Sequence, residues 1–203
     1  MLPSPRSESS RKLYGTHQSG NVYKVRLMLS LLDLPYEWIG INLAAKEHRL
    51  PEFLQLNPMG QVPVLVDVNV NIRDSQAILV YLARKYDNNW LPIDAEYMAK
   101  IMQWLSIAAN EIEHSLTALR RHFLLGVPID RAKAERTAKQ LLQVMDQHLE
   151  NQPWLECHHP TIADIACYPY IYRAADSQID LSPYLNLITW LNRIQQLPGY
   201  IAM

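Results

Sequence analysis

The stretch Lys12-Leu-Tyr14-Gly15-Thr16-His17-Gln18-Ser19-Gly20-Asn21-Val22-Tyr23-Lys24-Val25 changes character partway through. Lys12 to Tyr14 reads as a short strand. After a polar turn, Val22, Val25, Met28, Leu29 and Leu32 fall at helical spacing until Leu34-Pro35 ends the pattern. The turn therefore sets Ser19 and Asn21 at a helix N-terminus, where free backbone N–H groups and the positive end of the helix dipole converge. Two roles fit a serine there: an ordinary helix cap, or a hydroxyl that helps hold an anion such as a thiolate.

Outward from this stretch, Tyr36 to Ile41 is a second strand and Pro51 to Leu56 a short helix. The turn Asn57-Pro58-Met59-Gly60 leads into two strand-like runs, Val62 to Val66 and Val70 to Arg73. Asp74-Ser75 then opens a helix whose apolar positions Ile78, Tyr81, Leu82 and Tyr86 form one face, stopped by Asp87-Asn88-Asn89. The order is βαβαββα.

From Asp94 onward strand alternation disappears, which places a linker at 87–93 and an all-helical domain at 94–203. Ile101, Leu105, Ala108, Ile112, Leu116, Leu119 and Phe123 recur at steps of three and four, describing one helix of about eight turns down to Gly126-Val127-Pro128. A further helix is expected from about Ile129 to Glu150, another from Thr161, and a last one carrying Leu187, Leu191 and Ile194. Thr161-Ile-Ala-Asp164 has the form of a capping box, and Pro169 is expected to kink or end its helix. Residues 1–11, rich in Ser, Pro and Arg, read as a flexible tail before a first domain at 12–86.

Composition narrows the function. With 203 residues, 49% of them hydrophobic, the chain is long enough for a real core. A formal net charge of −1 with scattered Lys and Arg gives no electrostatic footprint for nucleic acid. No apolar run is long enough for a membrane span and the start lacks an apolar signal core, so a soluble, cytoplasmic protein is expected. The two cysteines, Cys157 and Cys167, are too far apart for a Cys-X-X-Cys pair; neither a disulfide framework nor a metal site is expected, and both are read as reduced bystanders.

Four motifs in this order, Ser19-Gly-Asn-Val-Tyr-Lys24, Asn57-Pro-Met-Gly-Gln-Val-Pro-Val-Leu65, Asp74-Ser-Gln-Ala-Ile78 and Thr161-Ile-Ala-Asp-Ile165, resemble the cytosolic glutathione S-transferases over Lys12 to about Tyr200. The pattern looks closest to bacterial serine- or threonine-type members, theta-like or nu-like. The resemblance implies a thioredoxin-like N-terminal domain, an all-α C-terminal domain and a homodimer. It also implies glutathione as co-substrate, joined to small hydrophobic electrophiles in detoxification.

Residue by residue, the resemblance makes Ser19 the donor to the glutathione thiolate, with Asn21 beside it and Tyr14 or Thr16 as competitors. Val62 would pair its backbone with the cysteinyl part, before a cis Pro63. Asp74 would take the γ-glutamyl ammonium and Ser75 its carboxylate, while Gln61 and His48 reach the glycyl end. Asn110, His114, Arg121, Tyr168 and Tyr172 are candidates for the electrophile site. Two other activities stay open: a glutathione-dependent disulfide reductase or peroxidase, and a non-catalytic binding protein on the same fold.

Overall fold

In the computed structural model, which describes residues 11–203, four strands form one sheet in the order β2-β1-β3-β4. They are β1 (Arg11–Gly15), β2 (Glu37–Gly40), β3 (Val64–Asp67) and β4 (Val70–Arg73). β1 runs parallel to β2 and antiparallel to β3, with Leu13 opposite Trp38 on one side and Leu65 on the other. A parallel neighbour needs a helical crossover, and α1 (Gly20–Leu31) supplies it. The tail expected at 1–11 lies outside the described residues except for Arg11, which already belongs to β1.

Two short devices fix the rest of this domain. α2 (Pro51–Leu56) starts on a proline, whose missing N–H is no loss in a first helical turn. α3 (Ser75–Tyr86) starts on Asp74, whose Oδ1 accepts the Gln76 and Ala77 amides. β3 begins at Val64 rather than at Val62, because Pro63 has no N–H to give the ladder; the Val62-Pro63 bond is cis. Asp67, at the end of β3, is buried beneath α3. Burial opposes its charge, but hydrogen bonds from Lys85, Tyr86 and Tyr81 prevail and hold the carboxyl below its usual range.

The helical half comprises α4 (Ala95–Ala109), α5 (Ala118–Leu125), α6 (Arg131–His148), α7 (Ile162–Tyr172) and α8 (Leu185–Gln195). The long helix expected down to Gly126 is interrupted: α4 ends at Ala109, and a five-residue stretch of π-helix, Glu113–Thr117, leads into α5. A π turn carries an extra residue, so the turns beyond it are rotated by about 100° relative to an unbroken helix. Ser115, Leu116 and Thr117 are consequently all buried.

α7 is buried from Ile162 to Ile171, as befits a helix that is apolar all round. Its capping box forms as the sequence indicates: the Thr161 hydroxyl accepts the Ala163 amide, while Asp164 accepts the Thr161 amide. Asp164 Oδ1 also accepts the Leu155 amide and the Trp190 indole N–H, tying α7 to α8. Pro169 does not end this helix, which continues to Tyr172; packing against α1, α3 and α4 outweighs one missing hydrogen bond. The core runs unbroken from Leu13 and Leu65 in the sheet through α1 and α3 to α4, α7 and Trp190.

Candidate active site

Between the two halves lies a cleft of about 900 Å³. One wall is built from three breaks in the first domain: the β1–α1 turn with Thr16, Gln18, Ser19 and Asn21; the turn from Asn57 to Pro63; and the β4–α3 junction with Arg73, Asp74, Ser75 and Gln76. The other wall is helical: Ala108 and Ala109 end α4, Glu113 and Thr117 come from the π stretch, Arg120, Arg121, Leu124 and Leu125 from α5, and Tyr170 from α7.

Each break is held locally. Ser19 is the N-cap of α1 and its Oγ accepts the Val22 amide at 3.3 Å. The oxygen is an acceptor in that contact, so the hydroxyl proton is left to donate elsewhere. Buried Asn57 braces the second turn: its Nδ2 donates to the Gln61 carbonyl at 2.8 Å and its Oδ1 accepts the Met59 amide at 3.0 Å. Gly60 has φ +61°, and a Cβ there would meet the His48 carbonyl at 2.9 Å. Asp74 has φ 75° and ψ 127°, a strained backbone for a non-glycine residue, and its capping contacts hold it there.

The two walls are strapped together. Arg120 donates from Nη1 to the Gln18 carbonyl at 3.3 Å and from Nε to Asp176 Oδ2 at 2.9 Å, and Arg173 donates to the same Oδ2 at 2.8 Å. Burial alone would push the Asp176 carboxyl up; the two guanidinium groups bring it below its usual range. This clamp fixes the residue preceding Ser19 from the helical side.

The lining is polar and unevenly satisfied. Of five buried side-chain polar atoms without a hydrogen-bond partner among the described residues, three belong to lining residues: His48 Nδ1, Gln76 Oε1 and Thr117 Oγ1. Buried donors and acceptors are nearly always paired, so such a cluster marks a place where a ligand completes the bonding. Lys24 is only 1% exposed, and burial lowers its pKa to about 8.

Ser19, Asn21, His48, Gln61, Val62, Pro63, Asp74, Ser75 and Arg121 are thus brought to one cleft. Asn110, His114 and Tyr168 are not. Asn110 is turned out to Glu111, and His114 bonds back to the Asn110 carbonyl on the exposed side. Tyr168 is fully buried, hydrogen-bonded to Tyr200 and stacked on Tyr172. The physical reasons differ: Asn110 caps the exposed end of α4, the π stretch presents Glu113 and Thr117 to the cleft while leaving His114 outside, and Tyr168 sits in α7, which is buried all round. Tyr14 packs edge-on against Phe53, away from the cleft, whereas Thr16 lines it. Lys24 and Gln76 stand inside the quoted motifs without a role assigned to them, and Thr117, Arg120 and Tyr170 lie outside every motif; for Lys24 the available signal was a lysine four residues after Gly20, on a helix face that is otherwise buried. Among the described residues no group of three or more His, Cys, Asp or Glu converges as metal ligands would, and no helix is long and apolar enough to cross a membrane.

Residues 13–90 match the glutathione S-transferase N-terminal domain family and residues 97–198 the glutathione S-transferase C-terminal domain family. Among characterised relatives, the disulfide-bond oxidoreductase YfcG of Escherichia coli is 31% identical over 192 residues, covering 88% of this chain and 87% of the relative. Glutathione S-transferase 3 of Zea mays is 35% identical over 163 residues, covering 75% and 73%. Among solved structures, a glutathione S-transferase from Pseudomonas fluorescens superposes with a TM-score of 0.89 at 34% identity, covering 96% of this chain and 98% of that one. A glutathione transferase homologue from Drosophila mojavensis with bound glutathione gives a TM-score of 0.84 at 29% identity, covering 93% and 88%. With both halves matched separately and in the order the fold requires, this chain belongs to the glutathione S-transferase family and is a glutathione transferase.

Proposed function

We propose that this enzyme stabilises the glutathione thiolate at Ser19 and conjugates it to small hydrophobic electrophiles. The observation that carries this is the Ser19 hydroxyl itself: its oxygen is occupied by the Val22 amide, it borders the cleft, and its proton is free to donate. An ordinary thiol titrates at about pH 8.5, so little of free glutathione is nucleophilic at neutral pH. A hydrogen bond to a charged group contributes about 1.5–3 kcal/mol and one pKa unit is about 1.4 kcal/mol, so one hydroxyl with the helix N-terminus lowers the thiol pKa by about one to three units.

The rest of the tripeptide follows the same wall. Asp74 takes the γ-glutamyl ammonium on its Oδ2, since Oδ1 caps α3, and Ser75 with the α3 N-terminus takes the carboxylate. Val62 supplies backbone pairing for the cysteinyl part, next to Pro63, and Asn21, Gln61 and His48 complete the lining. The electrophile then lies between Ser19 and the helical wall, against Ala108, Leu124 and Leu125 with Arg121 at the rim. Proximity and deprotonation supply the rate. The chain acts as a homodimer in the cytoplasm, in detoxification; exposed Ile93, Tyr97 and Met102 offer apolar surface for a second copy.

The test is to titrate the thiolate of bound glutathione by ultraviolet absorbance in the wild type and in Ser19→Ala. A raised thiol pKa in the variant is expected, and an unchanged one overturns the role of Ser19. A second reading, glutathione-dependent disulfide reduction, is favoured by the relationship to the E. coli oxidoreductase. In this reading two glutathione molecules reduce one disulfide to two thiols and leave as glutathione disulfide, with no protein cysteine; Cys157 and Cys167 both lie away from the lining. Turnover of hydroxyethyl disulfide without turnover of aryl halides selects this reading over conjugation.

A further inference from the structure

The glycine between Ser19 and Asn21 is occupied on its open side by a side chain from the other domain. A Cβ built on Gly20 would lie 2.7 Å from Cζ of Tyr170, the ring carbon that bears the hydroxyl. The phenol oxygen therefore stands over the first residue of α1, next to the cap residue Ser19. The Asn21 backbone amide faces that same oxygen and opposes the rise that burial imposes on the phenol pKa. Tyr170 is 6% exposed and borders the cleft together with Ser19.

We infer that the Tyr170 hydroxyl, carried to the first turn of α1 by the helical domain, is a second hydrogen-bond donor to the glutathione sulfur. This rests on the placement of that sulfur at Ser19. The two hydroxyls both face backbone amides of the first turn of α1. Ser19 Oγ accepts the Val22 amide and Tyr170 Oη faces the Asn21 amide, so each oxygen is polarised by the helix N-terminus while its own proton remains available.

The surroundings keep Tyr170 in the donor state. Burial pushes its pKa to about 12, and the charged groups facing it are Glu113 from the π stretch and Arg120 and Arg121 from α5. Glu113 is paired with Arg121 at 2.6 Å and Arg120 with Asp176, and none of them takes the phenol as a hydrogen-bond partner. Lys24, one turn further along α1, lies 5.7 Å from the ring centroid and contacts its face. A phenol that stays protonated through neutral and mildly alkaline pH donates a hydrogen bond and does not serve as a base. Glycine at position 20 is thereby explained as the opening that admits a tyrosine to the thiolate.

Tyr170→Phe keeps the ring on Gly20 and under Lys24 and removes only the oxygen. The measurement is the ultraviolet titration of bound glutathione in the wild type, Tyr170→Phe, Ser19→Ala and the double variant. Loss of one donor to a charged sulfur is expected to raise the bound thiol pKa by about one unit in Tyr170→Phe, and further in the double variant than in either single one. Its kcat/KM then falls about tenfold below the thiol pKa and approaches the wild-type value at high pH, a profile that a packing defect does not produce. Site-specific 3-fluorotyrosine at position 170, a stronger donor of the same shape, is expected to move the thiol pKa down. A wild-type thiol pKa in Tyr170→Phe overturns the inference while leaving Ser19 in place. A wild-type enzyme whose bound glutathione titrates like the free thiol overturns the reading beneath it.

Discussion

The ring of Tyr170 rests on Gly20 so closely that the two residues lock α7 to the first turn of α1; a methyl group at position 20 would fall 2.7 Å from Cζ and 3.0 Å from both Cε atoms. Gly20→Ala gains helix propensity of about 0.5–1 kcal/mol, yet overpacking of a rigid ring costs about 1–3 kcal/mol. The second effect prevails because the ring has no room to retreat within a buried α7. Urea unfolding is expected to show a net loss of stability in Gly20→Ala, partly restored by adding Tyr170→Val. A neutral Gly20→Ala would mean that the two helices part easily.

Asp74 combines a capping role and a charge, and the two are separable. Asp74→Asn retains an oxygen for the Gln76 and Ala77 amides and tolerates the left-handed backbone, so the melting temperature should fall by only a few degrees. Glutathione affinity should drop by about tenfold or more, as expected on losing a charge-assisted hydrogen bond. A glutathione analogue lacking the γ-glutamyl ammonium should bind the wild type and the variant equally. Isothermal calorimetry with both ligands decides it, and an unequal effect on the analogue removes Asp74 from the ammonium site.

Much of this is legible in the sequence, and the part that is not has a definite cause. The strands, α1, α2 and α3 follow from local period and turn chemistry, so Ser19, Val62 and Asp74 can be placed on breaks without any three-dimensional information. The Thr161 capping box is likewise local and forms as read. The helical wall is different, because one extra residue within Glu113–Thr117 rotates everything after it. An apolar stripe from Ile101 to Phe123 is compatible with either phase, so periodicity does not separate Asn110 and His114, which face away, from Glu113, Thr117 and Arg120, which line the cleft. Tyr170 is hidden for another reason: only the tertiary fold brings α7 to Gly20.

Asp164 predicts the largest loss of stability. Its two oxygens accept four hydrogen bonds, from the Leu155 amide, the Trp190 indole, the Thr161 amide and the Thr161 hydroxyl, all in the buried core. Asp164→Ala leaves three buried N–H groups, those of Leu155, Trp190 and Thr161, without acceptors and empties the volume, which costs about 3–5 kcal/mol. Asp164→Asn places an amide NH₂ against donors on one side and is expected to lose nearly as much. Chemical denaturation of both variants checks this, and a loss below about 1 kcal/mol would show that water replaces the carboxylate.

Lys24 predicts a stability change of the opposite sign. Its side chain is buried at the cleft, with the ammonium over the Tyr170 ring and near Cys167 on α7, Glu113 on the π stretch and Asp74 at the start of α3. Burial lowers its pKa from 10.5 to about 8, with those three groups only partly offsetting the effect. Between those two pH values the unfolded chain holds the proton more tightly than the folded one, so folding stability rises as pH increases from about 8 to 10.5, by ~3 kcal/mol at most. Below pH 8 the full penalty is present. Lys24→Met, similar in volume and uncharged, is therefore expected to melt higher than the wild type at pH 7 and to lose this advantage by pH 10. Parallel melting curves of the two proteins across that range would instead show that Lys24 is hydrated. Because an anionic ligand in the cleft relieves the same penalty, saturating glutathione should raise the melting temperature of the wild type more than that of Lys24→Met at pH 7.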